Sequence, residues 1–178
     1  MRFPYLATLG AAAVLAVAAL PAQGETTISG AKTHAELAAI EDAVPVLEAW
    51  IDHFGTYPRV ETVRPRIVLV PAGKMAAISA GTAHHGPATR GAYDAETATI
   101  YLQRPWFADR VYDRSILLHE LVHHRQTHAR HWYCDQAMEW DAYKLQETFL
   151  DQAGIEAGIF WLAIALESSC AVRDHHPD

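Results

Sequence analysis

His119-Glu120-Leu121-Val122-His123 places two imidazoles four residues apart, with a carboxylate between them. On a helix that spacing stacks the two rings on one face, where both can reach a single metal ion. Glu120 then stands next to the ion, placed to take a proton from a water held there, which is the chemistry of zinc-dependent hydrolysis. A chance pair of surface histidines is the competing reading. It does not account for the helical pattern around the motif: Asp113 as a candidate cap, Ile116, Leu117, Leu118, Leu121 and Val122 as a buried side, and no Gly or Pro until well beyond Gln126.

Elements before the motif must form the wall behind this helix. Thr33-His-Ala-Glu36 has capping-box spacing and opens a helix with apolar positions Leu37, Ile40, Val44, Leu47, Ile51 and Phe54. Pro45 is expected to kink it or start a second segment, and Gly55 and Pro58 to end it. Arg66-Ile-Val-Leu-Val70 reads as a short buried strand. A loop from Ser79 to Gly91 carries His84 and His85. Tyr93-Asp94-Ala-Glu-Thr97 reads as a turn into a strand Ala98-Thr-Ile-Tyr-Leu102. That strand either supports the helix or offers an edge to an extended peptide, and the sequence does not choose between these.

After the motif, His128 to Tyr133 is a polar and aromatic connection, Asp135 is a candidate cap for a helix from Gln136 to about Asp151, and Gly154 breaks the pattern. Ile155 to Glu167 is expected as a final core helix, since Ile159, Phe160, Leu162, Ala163 and Leu166 supply an apolar side too short for a membrane span. Arg173 to Asp178, with His175-His176, reads as a frayed tail. No internal repeat or low-complexity linker is present. The fold class expected is α+β: a small domain with an N-terminal helix, a short β-sheet packed on the histidine helix, a glutamate-bearing helix and a C-terminal core helix.

Residues 1–24 have an early Arg2, an apolar run from Leu9 to Leu20, and small residues Ala22 and Gly24 before a cleavage point, the form of a secretory signal peptide. The apolar run is shorter than the roughly 20 residues of a spanning helix, which argues against an uncleaved anchor. A lipoprotein is disfavoured, because no Cys stands near that point. Residues 25–178 then form one domain, exported to the periplasm or beyond, with no stable membrane span. The formal net charge of the whole chain is −7, and the absence of a basic stripe leaves no footprint for nucleic acid. Two cysteines, Cys134 and Cys170, in an oxidising compartment read as one disulfide; as zinc thiolates they would be poorly spaced.

A catalytic zinc takes three protein ligands. The H-E-x-x-H-x-x-G-x-x-H pattern of the metzincins fails here, because Gln126 and Ala129 occupy the glycine and third-histidine positions. Met138-Glu-Trp-Asp-Ala-Tyr143 offers Glu139 instead, with Tyr143 and Gln146 on the same helix face and Asp141 on another. At Glu139-Trp-Asp-Ala142 the chain resembles the gluzincin metallopeptidases, in which H-E-x-x-H is followed by a helix whose E-x-x-A glutamate binds zinc. The short spacing is similar to the minigluzincins and to several secreted bacterial families. The likeness spans roughly Ile67 to Leu150 and rests on the two motifs.

This resemblance implies one zinc per chain on His119, His123 and Glu139, with Asp141 and His131 as substitutes for Glu139. It implies Glu120 as general base and then acid, and a peptide, protein or peptidoglycan-peptide substrate. Candidate donors to a developing oxyanion are Tyr143, His131, Tyr93, His84 and His85. Asp113 could orient a ligand, although capping is the simpler role, and His124 points about 100° away around the helix. A second class stays open, a zinc-binding interaction or storage module. The carboxylate of Glu120 favours hydrolysis, since storage has no use for it.

Overall fold

The computed structural model describes residues 26–81 and 89–170. The signal-peptide reading, His84, His85 and the tail with His175 and His176 lie outside the described residues. Among the described residues there are four strands and five α-helices: β1 (Ile28–Ser29), α1 (His34–Phe54), β2 (Arg66–Val70), α2 (Ala72–Gly81), β3 (Gly91–Asp94), β4 (Thr99–Gln103), α3 (Val111–Ala129), α4 (Glu139–Asp151) and α5 (Trp161–Glu167). The fold is α+β, as the sequence predicts.

The sheet order is β1-β2-β4-β3, with β3 antiparallel to β4 at one edge and the other pairs parallel. The register pairs Ile67 with Ile100 and Leu69 with Leu102. Because side chains alternate along a strand, these residues share one face, and they join Ile40, Leu47 and Ile51 of α1 and Leu117, Leu118 and Leu121 of α3 in the main core. Val70 and Ala92 belong to a second cluster with Met75 of α2. Helix α2 falls where the sequence offered no element. Its start is masked by Gly73 so close to Pro71, and burial of Met75 decides in favour of helix.

Thr33 caps α1 as expected, its Oγ1 accepting from the Glu36 N–H at 3.1 Å, while Glu36 Oε2 accepts from the Lys32 N–H. Pro45 does not divide this helix. It lies on the exposed side, where the carbonyl left without its amide partner can bind water instead. Asp113 is no cap: α3 starts two residues earlier, and the buried Asp113 carboxylate accepts from Arg90 Nη1 at 2.5 Å and from the Phe107 N–H at 3.0 Å. Tyr93 belongs to β3, and the turn begins at Asp94, whose Oδ1 accepts from the N–H groups of Glu96 and Thr97.

Asp135 opens a single 3-10 turn, Asp135–Met138, rather than capping the glutamate helix, which starts at Glu139. The expected C-terminal core helix is corrected more strongly. Gly154 and Gly158 take left-handed φ values of 70° and 65°, helix begins only at Trp161, and Phe160, Leu162 and Leu166 are 70%, 62% and 66% exposed, leaving Ile164 as the buried residue of α5. Cys134 and Cys170 form a disulfide, which ties the 3-10 turn to the chain after α5 and fits a non-reducing compartment. Among the described residues no helix is long and apolar enough to cross a membrane.

α1 and α3 are joined through a buried ion pair. Arg125, 1% exposed, donates to both the carboxylate and the backbone carbonyl of Glu48, to Asp52 Oδ1 at 2.8 Å and to the Tyr57 carbonyl. Replacing Glu48 by Ala removes the buried carboxylate and leaves the guanidinium only the more exposed Asp52 as a charged partner, and is expected to cost about 3 kcal/mol, measured by urea unfolding.

Candidate metal centre

α3 is enclosed by the sheet, α1 and α4, and the whole run from Ser115 to Gln126 is buried. His119, Glu120 and His123 are 7%, 6% and 2% exposed, far below what a solvated histidine face would show. α4 brings Glu139, itself 4% exposed, against the two rings.

His119 Nε2 and His123 Nε2 stand 2.9 Å apart. His119 Nε2 is 3.2 Å from Glu139 Oε2, and His123 Nε2 is 3.2 Å from Glu139 Oε1. Ligand atoms at about 2.0–2.1 Å from a tetrahedral ion stand about 3.3 Å from one another, so these separations fit one ion with little adjustment. Among the described residues this is the one group of three or more such side chains whose ligand atoms all lie within 4.8 Å of each other, and it could hold a metal ion.

The donor set says the same. His119 Nδ1–H donates to Gln146 Oε1 at 3.0 Å, and Gln146 Nε2 in turn donates to Ser115 Oγ. His123 Nδ1–H donates to Gln126 Oε1 at 2.9 Å, with Gln126 Nε2 donating to the Met138 carbonyl. With both rings neutral, these assignments leave the two Nε2 atoms as lone pairs facing each other and a carboxylate, a repulsion that either a proton or a metal ion shared among them relieves. Burial alone would lower the pKa of His123, but the charges of Glu139 and Glu120 and the bonds to Glu139 and Gln126 outweigh it and raise it to about 9. The pocket thus attracts positive charge.

The remaining predicted residues separate clearly. Tyr143 is half-buried with its ring 4.6 Å from that of His119, edge to face. Burial first, and then the charges of Glu139 and Glu120, push its phenol up, so it stays a proton donor through the neutral range. Asp141 faces elsewhere, accepting from Tyr57 Oη at 2.5 Å, and is not part of the ligand group. His131 is exposed on the connection after α3, its ring against Tyr133, and is not in that group either. Tyr93 is engaged by His124: the phenol donates to His124 Nδ1 at 3.0 Å, and His124 Nε2 donates to the Val63 carbonyl. Burial above all, and the nearby charges of His128, Arg125 and Arg64, lower His124 to about 4, so this ring is neutral and structural. The roles that sequence reasoning passed over are those of the two glutamines, although Gln146 was placed on the Glu139 face. Gln126 counted only as a failed glycine position, although it follows His123 by one helical turn, and Gln146 lies two turns from Glu139.

The family described as "Domain of unknown function (DUF6647)" matches residues 36–178, a span that includes both motifs. The chain belongs to this family. No curated protein and no solved structure matches it. The family description assigns no activity, so the geometry carries the functional argument.

Each glutamine fixes one ring with its Nε2 toward the centre, and such outer partners are commonly worth 10–100-fold in metal affinity. If the group holds a metal ion, Gln146→Leu is expected to weaken its binding by about that factor, read by competition with a chromophoric chelator.

Proposed function

We propose that this chain is an exported zinc-dependent hydrolase acting on amide bonds, with His119, His123 and Glu139 holding the ion. The observation that supports this reading best is the convergence of two Nε2 lone pairs and a carboxylate within 3.2 Å, with Glu120 buried on the same helix. Zinc so held would polarise a substrate carbonyl and acidify a water. Two neutral imidazoles and one carboxylate are a ligand set typical of catalytic zinc, and they leave a net positive centre.

The residues of the chain supply the rest. Glu120 accepts the proton of the attacking water and delivers it to the leaving amine, so one carboxylate is base and then acid. Tyr143, kept protonated beside His119, is the donor best placed to bond an oxyanion as it develops. Gln126 and Gln146 hold the two rings so that neither rotates as charge moves. The disulfide is consistent with action outside a reducing cytoplasm, where peptides, envelope proteins and peptidoglycan cross-links are the accessible substrates.

Purified mature protein is expected to hold one zinc per chain, with Glu139→Ala losing most of it and Asp141→Ala keeping it. Equal zinc in the two variants would remove Glu139 from the site. On a broad peptide library, wild type is expected to cleave, and Glu120→Gln, still zinc-loaded, to lose at least about 100-fold in rate. Cleavage indifferent to both Glu120→Gln and a chelator would sink the mechanism. A zinc-loaded wild type that cleaves nothing would favour a binding module instead.

A further inference from the structure

Gly91 opens the edge strand β3 and pairs with Leu102. It is not among the glycines with positive φ, so its backbone suits any residue. Space is what excludes a side chain. A Cβ at position 91 would lie 2.5 Å from Glu120 Oε1, 3.0 Å from Glu120 Cγ and 2.7 Å from Ile116 Cγ2, one turn earlier on α3.

The strand has little freedom to retreat. Arg90, the preceding residue, donates Nη1 to the buried Asp113 in the first turn of α3 at 2.5 Å and Nη2 to the Pro105 carbonyl at 2.7 Å, and the Arg90 carbonyl accepts from the Gln103 N–H of β4. With strand and helix both anchored, a side chain at position 91 must be met by the side chains of α3: the Ile116 methyl by a small shift, and the flexible far end of Glu120 by the larger one.

We propose that Gly91 is a positioning residue for Glu120: the bare edge of β3 lies against the carboxylate and sets where it stands relative to His119 and His123. Only the chemical role of Glu120 rests on the hydrolase reading; the contact stands without it. Gly91→Ala therefore displaces the carboxylate and the Ile116 methyl, neither of which belongs to the ligand set.

Three measurements on the mature protein test this. In thermal melts with excess chelator, Gly91→Ala is expected to lower Tm by several degrees. In a Glu120→Ala background the loss should be smaller, since two of the three close contacts are gone. Equal losses in both backgrounds overturn the proposal. Should Gly91→Ala fail to fold, the double variant is expected to fold, and failure of both also overturns it. A crystal structure of Gly91→Ala is expected to show the Glu120 carboxylate moved by about 1 Å, with His119, His123 and Glu139 in place; an unmoved carboxylate overturns the proposal. Zinc content should match wild type while kcat falls about 100-fold with KM little changed. Wild-type kcat in Gly91→Ala counts against the positioning role. A wild type that binds zinc but turns nothing over fails the hydrolase reading alone, and the melts and the crystal structure still decide this one.

Discussion

A helix can be buried on every side only if each polar group it takes inside finds a partner, and α3 is under that constraint over its whole central length. Its interior residues include Ser115, His119, Glu120, His123, His124, Arg125 and Gln126. An unpartnered polar atom there would cost roughly 1–3 kcal/mol, and a charge more, so the surrounding elements have to be chosen to suit the helix. α1 supplies Glu48 for Arg125, β3 supplies Tyr93 for His124, and α4 supplies Gln146 and Glu139 for the histidines. The fold is organised around meeting these demands as much as around its apolar core.

The demands divide around the helix. On one side, the Glu48–Arg125 pair and the Tyr93–His124 bond are closed sets in which donors and acceptors match. On the other, His119, His123 and Glu139 present acceptors to one another, each ring having already given its Nδ1–H to an amide. That imbalance separates a closed polar cluster from one that could hold a metal ion. It also explains why adjacent histidines, His123 and His124, have such different environments: a rotation of about 100° moves the ring from one kind of cluster to the other.

The legible parts of the sequence were those set by local periodicity. The capping residues and apolar spacing of α1, the motif on α3 and Glu139 on a following helix carry their signal within a few residues, and the cysteine pair, 36 residues apart, carries it in its even count. Tertiary context decided the others. Asp113 sits at cap spacing but is claimed by Arg90, far away in sequence. Pro45 is harmless because its side of α1 faces water. The apolar run after Ile155 looks like core, yet the interior is already filled by α1, α3 and α4, and two left-handed glycines shorten the helix to seven residues that stay mostly at the surface. Gln126 and Gln146 were invisible as ring-orienting groups because an amide has no motif of its own; only the folded neighbourhood gives it that use. Gly91 was hidden for a related reason, since a glycine in an ordinary strand conformation reads as a weak strand residue until the neighbouring helix is known.

The two halves of the centre differ in how far along the chain they are drawn from. His119, His123 and Glu139 all come from one helical hairpin, whose short loop makes their convergence entropically inexpensive. The surface that confines Glu120 belongs to β3, which pairs with β4 across a short turn as a local antiparallel hairpin and meets α3 only through tertiary packing. The ligand group and the wall beside Glu120 thus come from two separate local units, the α3–α4 pair and the β3–β4 hairpin. Disturbing the packing of α4 on α3 would scatter the three ligand side chains, whereas disturbing the packing of β3 on α3 would free Glu120 and leave them together, so the two kinds of disorder are separable within one small domain.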